Sequence, residues 1–119
     1  YIDISFKTDK VKKNLYDKEY KKAISLIKPN STLVAMDEKG EHMSSLNFSK
    51  KIKLLIENNN QIYFLIGGPD GLSDFVKEKA DLIISLSDLT FPHQLAKIIL
   101  TEQIYRSICI MNNHPYHRS

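Results

Sequence analysis

The chain has 119 residues, of which 42% are apolar, and its 17 lysines and arginines against 14 acids leave a net charge of +3. That length suits one domain over residues 1–119 with one core, and the apolar share excludes a disordered segment. The apolar runs are short, the longest being Ile62-Tyr63-Phe64-Leu65-Ile66. None approaches the roughly 20 residues of a membrane-spanning helix, and the mild charge permits nucleic acid without demanding it.

Residues 1–6 alternate apolar and polar and read as a strand. Over residues 10–27, Val11, Leu15, Ala23, Ile24 and Ile27 recur at helical spacing, and Pro29 stops that helix. Residues 32–36 form a short apolar run, a buried strand, and Asp37-Glu38-Lys39-Gly40 reads as the turn that ends it. Ser45 or Asn47 can cap a helix through about residue 57 with Phe48, Ile52, Leu55 and Ile56 inside. A third strand spans 62–66. The glycine-dense turn Gly67-Gly68-Pro69-Asp70-Gly71 follows. Ser73 caps a short helix that buries Phe75, Val76 and Ala80. Residues 82–86 are a fourth strand and 87–91 a loop. Pro92 takes the first turn of a long helix reaching Met111.

Apolar strands alternating with amphipathic helices predict an α/β fold, a mostly parallel sheet covered by helices on both faces. Such sheets bind ligands beyond the carboxyl ends of their strands. The informative loops therefore follow Met36, Ile66 and Leu86. The 67–71 turn fits either a bare strand-to-helix connection or a backbone cradle for a ligand. It is not G-x-G-x-x-G, and no Lys-Ser pair follows it, which disfavours kinases, nucleotide hydrolases and ordinary dehydrogenases. Asp88 has no second carboxylate placed to make an acid–base pair. His93, in a first helical turn, reads as structural. No serine sits in a nucleophile elbow.

In the long helix, Leu95, Ile98, Ile99, Tyr105 and Ile108 form a broad apolar stripe able to pack inward or against a second subunit. Glu102 and Arg106 sit at i, i+4 in the favourable order, a modest helix-surface pair. Cys109, flanked by Ile108 and Ile110, reads as a small core residue, and one cysteine excludes an internal disulfide or a multi-cysteine metal site. A reducing compartment fits. The tail gathers His114, Tyr116, His117 and Arg118 around Pro115. Arginine can bind phosphate, tyrosine can stack on a base, and histidine moves a proton near neutral pH. A bare polar tail is the alternative. His114-x-x-His117 lacks a third ligand, so no metal is expected.

Three segments together carry a resemblance: Leu65 to Gly71, Leu86 to Leu95, and Glu102-Gln103-Ile104-Tyr105-Arg106 with Pro115-Tyr116-His117. Their order and spacing resemble the RlmH family, the large-subunit ribosomal RNA pseudouridine N3-methyltransferases of the SPOUT class. Asp70 stands where that family usually has glutamate, and Lys97 where arginine is frequent. The family begins with another strand and helix before the position of Tyr1, so the chain is expected to lack them. The resemblance implies a C-terminal trefoil knot, a cytoplasmic homodimer, S-adenosylmethionine as cofactor and the ribosome, through its large-subunit RNA, as partner. It places Met36, Gly67, Leu86, Ser87, Asp88, Leu89, Thr90 and Phe91 around the cofactor. The tail residues His117, Tyr116, Arg118 and His114 are the expected catalytic group. The alternative is a non-catalytic module of the same fold that binds ribosomal RNA or dimerises. A flavodoxin-like small-molecule domain is a third reading that nothing in the tail favours.

Overall fold

A computed structural model of the chain describes residues 3–8, 25, 27, 30–58, 61–67 and 72–118. The elements are β1 (Asp3–Thr8), β2 (Thr32–His42), α1 (Ser45–Asn58), β3 (Gln61–Ile66), α2 (Asp74–Lys79), β4 (Leu82–Ser85) and α3 (His93–Met111). The expected helix over 10–27 lies outside the described residues apart from Ser25 and Ile27. The four strands form one parallel sheet in the order β1-β3-β2-β4.

Period-two alternation divides the core between the sheet's faces. Val34, Met36, Ile62, Phe64, Ile66 and Ile84 turn toward α1 and α3 and pack with Phe48, Ile52, Ala96, Leu100 and Ile104. Leu33, Ala35 and Leu65 turn the other way and meet Leu72 and Val76 at α2, with Ile27 at the margin. Both faces are therefore covered, as the continuous apolar strands predict. Phe64, Ile52, Ile62, Ile84 and Leu100 are the largest fully buried apolar side chains. Burial of each contributes about 1.5–3 kcal/mol.

Helix ends follow local chemistry. The Ser73 hydroxyl accepts from the Val76 amide at 3.3 Å and caps α2. For α1 the cap is Ser44 rather than Ser45 or Asn47, its hydroxyl accepting from the Asn47 amide at 3.1 Å. Pro92 is the N-cap of α3, one residue before the position expected of it, with extended ψ of 150°. Its missing N–H costs nothing there. At the other end Asn113 adopts a left-handed φ of 57°. The His114 amide returns to the Cys109 carbonyl at 2.8 Å and the Asn113 amide to Ile110 at 3.1 Å. This is a Schellman closure, in which asparagine stands in for the usual glycine and the chain reverses onto its own helix.

The turn expected over Asp37-Glu38-Lys39-Gly40 is not there, because β2 runs through these residues to His42. The β2–β4 ladder instead shifts register, and Ile84 pairs with both Met36 and Glu41. Gly40 makes this possible. A Cβ there would stand 2.8 Å from the Ile84 carbonyl carbon and 2.9 Å from the carbonyl carbon and oxygen of Ile83. Those are backbone atoms, which cannot swing aside. Gly40→Ala is expected to push β4 away from β2 and to destabilise the fold by about 1–3 kcal/mol, read as a lower midpoint in urea unfolding.

Candidate functional site

Strand register assembles one edge of the site. Met36 in β2 is the lateral neighbour of Ile66 in β3 and of Ile84 in β4. Strands in a sheet lie about 4.8 Å apart. Gly67 and the segment from Leu86 onward therefore leave the sheet side by side, flanking Met36. The structure brings Met36, Leu86 and Phe91 into one apolar cluster, with Met36 buried and the other two partly so. Gly67 is partly buried and adds no side chain there; the rest of the glycine-dense turn lies outside the described residues. Leu86 and Phe91, both partly exposed, offer apolar surface at this edge beside Gly67.

The remaining loop residues turn outward. Ser87 shapes the loop from within: its carbonyl accepts from the Ser85 hydroxyl at 3.0 Å, and its own hydroxyl accepts from the Leu89 amide at 3.0 Å. Asp88 meets His42 at 2.6 Å, and the Thr90 hydroxyl donates to Glu38 at 2.9 Å. Leu89 is 69% exposed. The end of β2 thus clasps the loop twice. Both clasps are solvated and contribute little stability, but they fix where the loop lies. The sequence gives no sign of His42 or Glu38, because their reach depends on the extension of β2.

The second half of the site is the tail, folded back on α3. One oxygen of Glu102 accepts from Arg106 Nε at 2.9 Å, from Arg106 Nη2 at 2.7 Å and from the Tyr116 hydroxyl at 3.0 Å. Its other oxygen accepts from Gln103 Nε2 at 2.8 Å, and Gln103 Oε1 accepts from the Ser45 hydroxyl at 2.8 Å. The Tyr116 ring lies 4.8 Å from the Arg106 guanidinium carbon and 4.9 Å, edge to face, from Tyr105. The Tyr116 amide donates to His114 Nδ1 at 3.2 Å, and Arg106 Nη1 lies 3.1 Å from His117 Nδ1. Arg118 is exposed and makes no side-chain hydrogen bond or ion pair among the described residues. Of the four expected tail residues, Tyr116, His117 and His114 are therefore gathered into a network, and Arg118 is left free at its rim.

Charge in this network is asymmetric. The hydrogen bond from Arg106, then that from Tyr116, holds the Glu102 carboxyl below the ordinary glutamate range against the opposing effect of burial. That same carboxylate pushes the Tyr116 phenol up. Tyr116 is thus a proton donor at neutral pH, already engaged. His117 carries a buried Nε2 with no hydrogen-bond partner among the described residues. A buried polar atom without a partner costs about 1–3 kcal/mol.

α3 borders both halves of the site. A cavity of about 140 Å³ is walled by Ser85 and Leu86 at the loop, by Phe48 and Ser45 of α1, and by Ile99 and Gln103 of α3. Gln103 thereby joins the loop's wall to the Glu102 network. Elsewhere on α3, Leu95, Ile98, Tyr105 and Ile108 stay exposed at 43%, 65%, 51% and 41%. Ala96, Leu100 and Ile104 bury instead of the expected stripe, with only Ile99 of that stripe partly covered. Cys109 is a buried free thiol, in keeping with a core role. Among the described residues no group of three or more His, Cys, Asp or Glu is placed to hold a metal, and no helix is long and apolar enough to cross a membrane.

Residues 2–117 match the family described as "Predicted SPOUT methyltransferase". The chain belongs to the SPOUT methyltransferase family. Among curated relatives, the "Ribosomal RNA large subunit methyltransferase H" of Chromobacterium violaceum is 42% identical over 84% of this chain and 64% of its own length. Proteins of the same name from two Prochlorococcus marinus strains are 51% identical over 76% of the chain and 64% of their length, and 50% identical over 85% and 68%. The chain thus spans about two thirds of the length of these relatives. The resemblance carried by its three SPOUT segments is borne out.

Glu102 anchors the tail only while ionised. Because folding lowers its pKa, the contribution is fully present above the unfolded value and is lost as pH falls through the folded value. The ring resonances of Tyr116 are expected to stay fixed through the ordinary glutamate range and to move only at lower pH, when followed by NMR. Glu102→Gln should abolish that transition and leave the ring averaged at every pH.

Proposed function

We propose that the chain methylates N3 of a pseudouridine in large-subunit ribosomal RNA, using S-adenosylmethionine. The observation that supports this most is the identity of 42–51% to relatives named for methylation of large-subunit ribosomal RNA. The cofactor, when bound, supplies a methyl carbon made electrophilic by its sulfonium, and in-line attack by N3 transfers it. Met36, Leu86 and Phe91 would give the adenine an apolar floor, Gly67 would leave room at its edge, and the backbone of Ser87, Asp88, Leu89 and Thr90 would read its polar rim. The clasps to Glu38 and His42 would hold that rim in shape.

Little covalent chemistry falls to the protein, so positioning carries the rate. Arg118, exposed and free, would hold an RNA phosphate. Tyr116 and His117 would place the base, and His114 would brace the turn that presents them through the bond it accepts from the Tyr116 amide. The exposed apolar stripe of α3 would be covered by a second copy of the chain, making the homodimer. A C-terminal trefoil knot and a cytoplasmic setting belong to the same reading.

Labelled methyl from S-adenosylmethionine, supplied with ribosomes lacking the modification, is expected to appear on a pseudouridine N3 of the large subunit. Tyr116→Phe should slow transfer about tenfold or more and His117→Ala about 100-fold or more. Parent rates in both variants would remove the tail from the chemistry. Ribosome binding with no label at all would favour the non-catalytic module.

A further inference from the structure

Arg106 makes a statement about the proton on His117. A guanidinium has only N–H groups and cannot accept a hydrogen bond. At 3.1 Å from Arg106 Nη1, His117 Nδ1 must therefore offer its lone pair. A neutral imidazole with one accepting nitrogen carries its proton on the other. That other nitrogen, Nε2, is the buried atom with no partner. Arg106 cannot turn away to relieve this, since Nε and Nη2 are both engaged with Glu102. The order Glu102, Arg106, His117 thus fixes which ring nitrogen is protonated and leaves one N–H donor without an acceptor.

We propose that Glu102 and Arg106 are positioning residues that hold His117 as a hydrogen-bond donor through Nε2, aimed at a carbonyl oxygen of the methyl-accepting base. This rests on the reading of the chain as a base methyltransferase. N3 of a uracil-type ring lies between two carbonyl groups. When N3 loses its proton to water, the negative charge spreads onto those oxygens. A fixed N–H on one of them stabilises that anion, whose N3 lone pair then forms the N–C bond as the C–S bond breaks. His117 takes no proton in this step. Nε2 is buried in the free chain, so reaching the base requires the Tyr116 and Arg118 end of the tail to shift and uncover it.

The tautomer can be read without substrate. Long-range ¹H–¹⁵N correlation on the labelled protein is expected to show His117 with its proton on Nε2 alone. Arg106→Met should give a mixture of both tautomers, and Arg106→Lys, which keeps a donor, should restore part of the bias. A proton on Nδ1 in the parent, or an unchanged tautomer in Arg106→Met, would overturn the proposal. Turnover gives the second arm. His117→Gln, whose amide N–H replaces the donor but not a base, should stay within about tenfold of parent, while His117→Ala should lose about 100-fold or more. Equal losses in the two would mark His117 as a base and overturn the donor role. A parent that transfers no methyl would sink the proposed reaction, and the tautomer measurement would still decide the positioning by Arg106.

Discussion

Met36 pairs laterally with Ile66 on one side and Ile84 on the other, and most of the candidate site follows from that alignment. β3 and β4 end close to the level of Met36, so Gly67 and Leu86 leave the sheet at one edge, while β2 itself runs on to His42. Had β4 been offset by two residues, Leu86 would have left the sheet about 7 Å from Gly67's edge rather than beside it. The register is itself held from both ends. At the start of β4, the Asp81 carboxylate accepts from the Leu33 amide at 2.8 Å while the Asp81 amide donates to the Leu33 carbonyl at 2.9 Å. At its end, Gly40 lets β2 return against the backbone of Ile83 and Ile84. The alternating side chains then lock the pairing, because a slip by one residue would exchange the two core faces.

The tail depends on a different constraint, the convergence of three donors on one oxygen of Glu102. A lone helix-surface pair such as Glu102 with Arg106 contributes little. Here the pair is partly shielded, with side-chain exposures of 35% and 23%, and it organises other groups. The Schellman closure at Asn113 reverses the chain, and Tyr116 then reaches Glu102 across 14 residues of sequence. Stacking of the Arg106 guanidinium on the Tyr116 ring keeps the guanidinium plane in place while its edge addresses His117. The gain is in orientation more than in stability, which suits groups that act by position.

Much of this was legible from residues alone, and the misses have physical causes. The alternation of strands and helices, the covered faces and the loops after Ile66 and Leu86 follow from apolar runs whose length and alternation admit few arrangements, whereas the loop expected after Met36 is strand. The extension of β2 was hidden, because Asp37, Glu38, Lys39 and Gly40 carry turn chemistry, and only a partner strand close enough to demand glycine makes them strand. On α3 apolar side chains occur nearly all round, so periodicity cannot choose the buried face. Packing against α1 chose Ala96, Leu100 and Ile104, and left Leu95, Ile98, Tyr105 and Ile108 outside. The Glu102–Arg106 pair was visible as a spacing, but its role needed the tail to fold back upon it. His42 and Glu38 left no sign at all.

The two halves of the site differ in how they treat polar groups. Around the loop, polar side chains close on one another, Asp88 with His42 and Thr90 with Glu38, which leaves the apolar cluster of Met36, Leu86 and Phe91 as the edge's own contribution. In the tail the accounts are left open. Glu102 is saturated and Tyr116 is engaged with it, and among the described residues the buried Nε2 of His117 and the exposed cation of Arg118 are left without partners. Both are donors, and neither accepts. The exposed cation of Arg118 suits an anionic group such as a phosphate. Gln103 stands beside both halves, lining the cavity that Leu86 also lines, accepting from Ser45 through Oε1 and donating to Glu102 through Nε2.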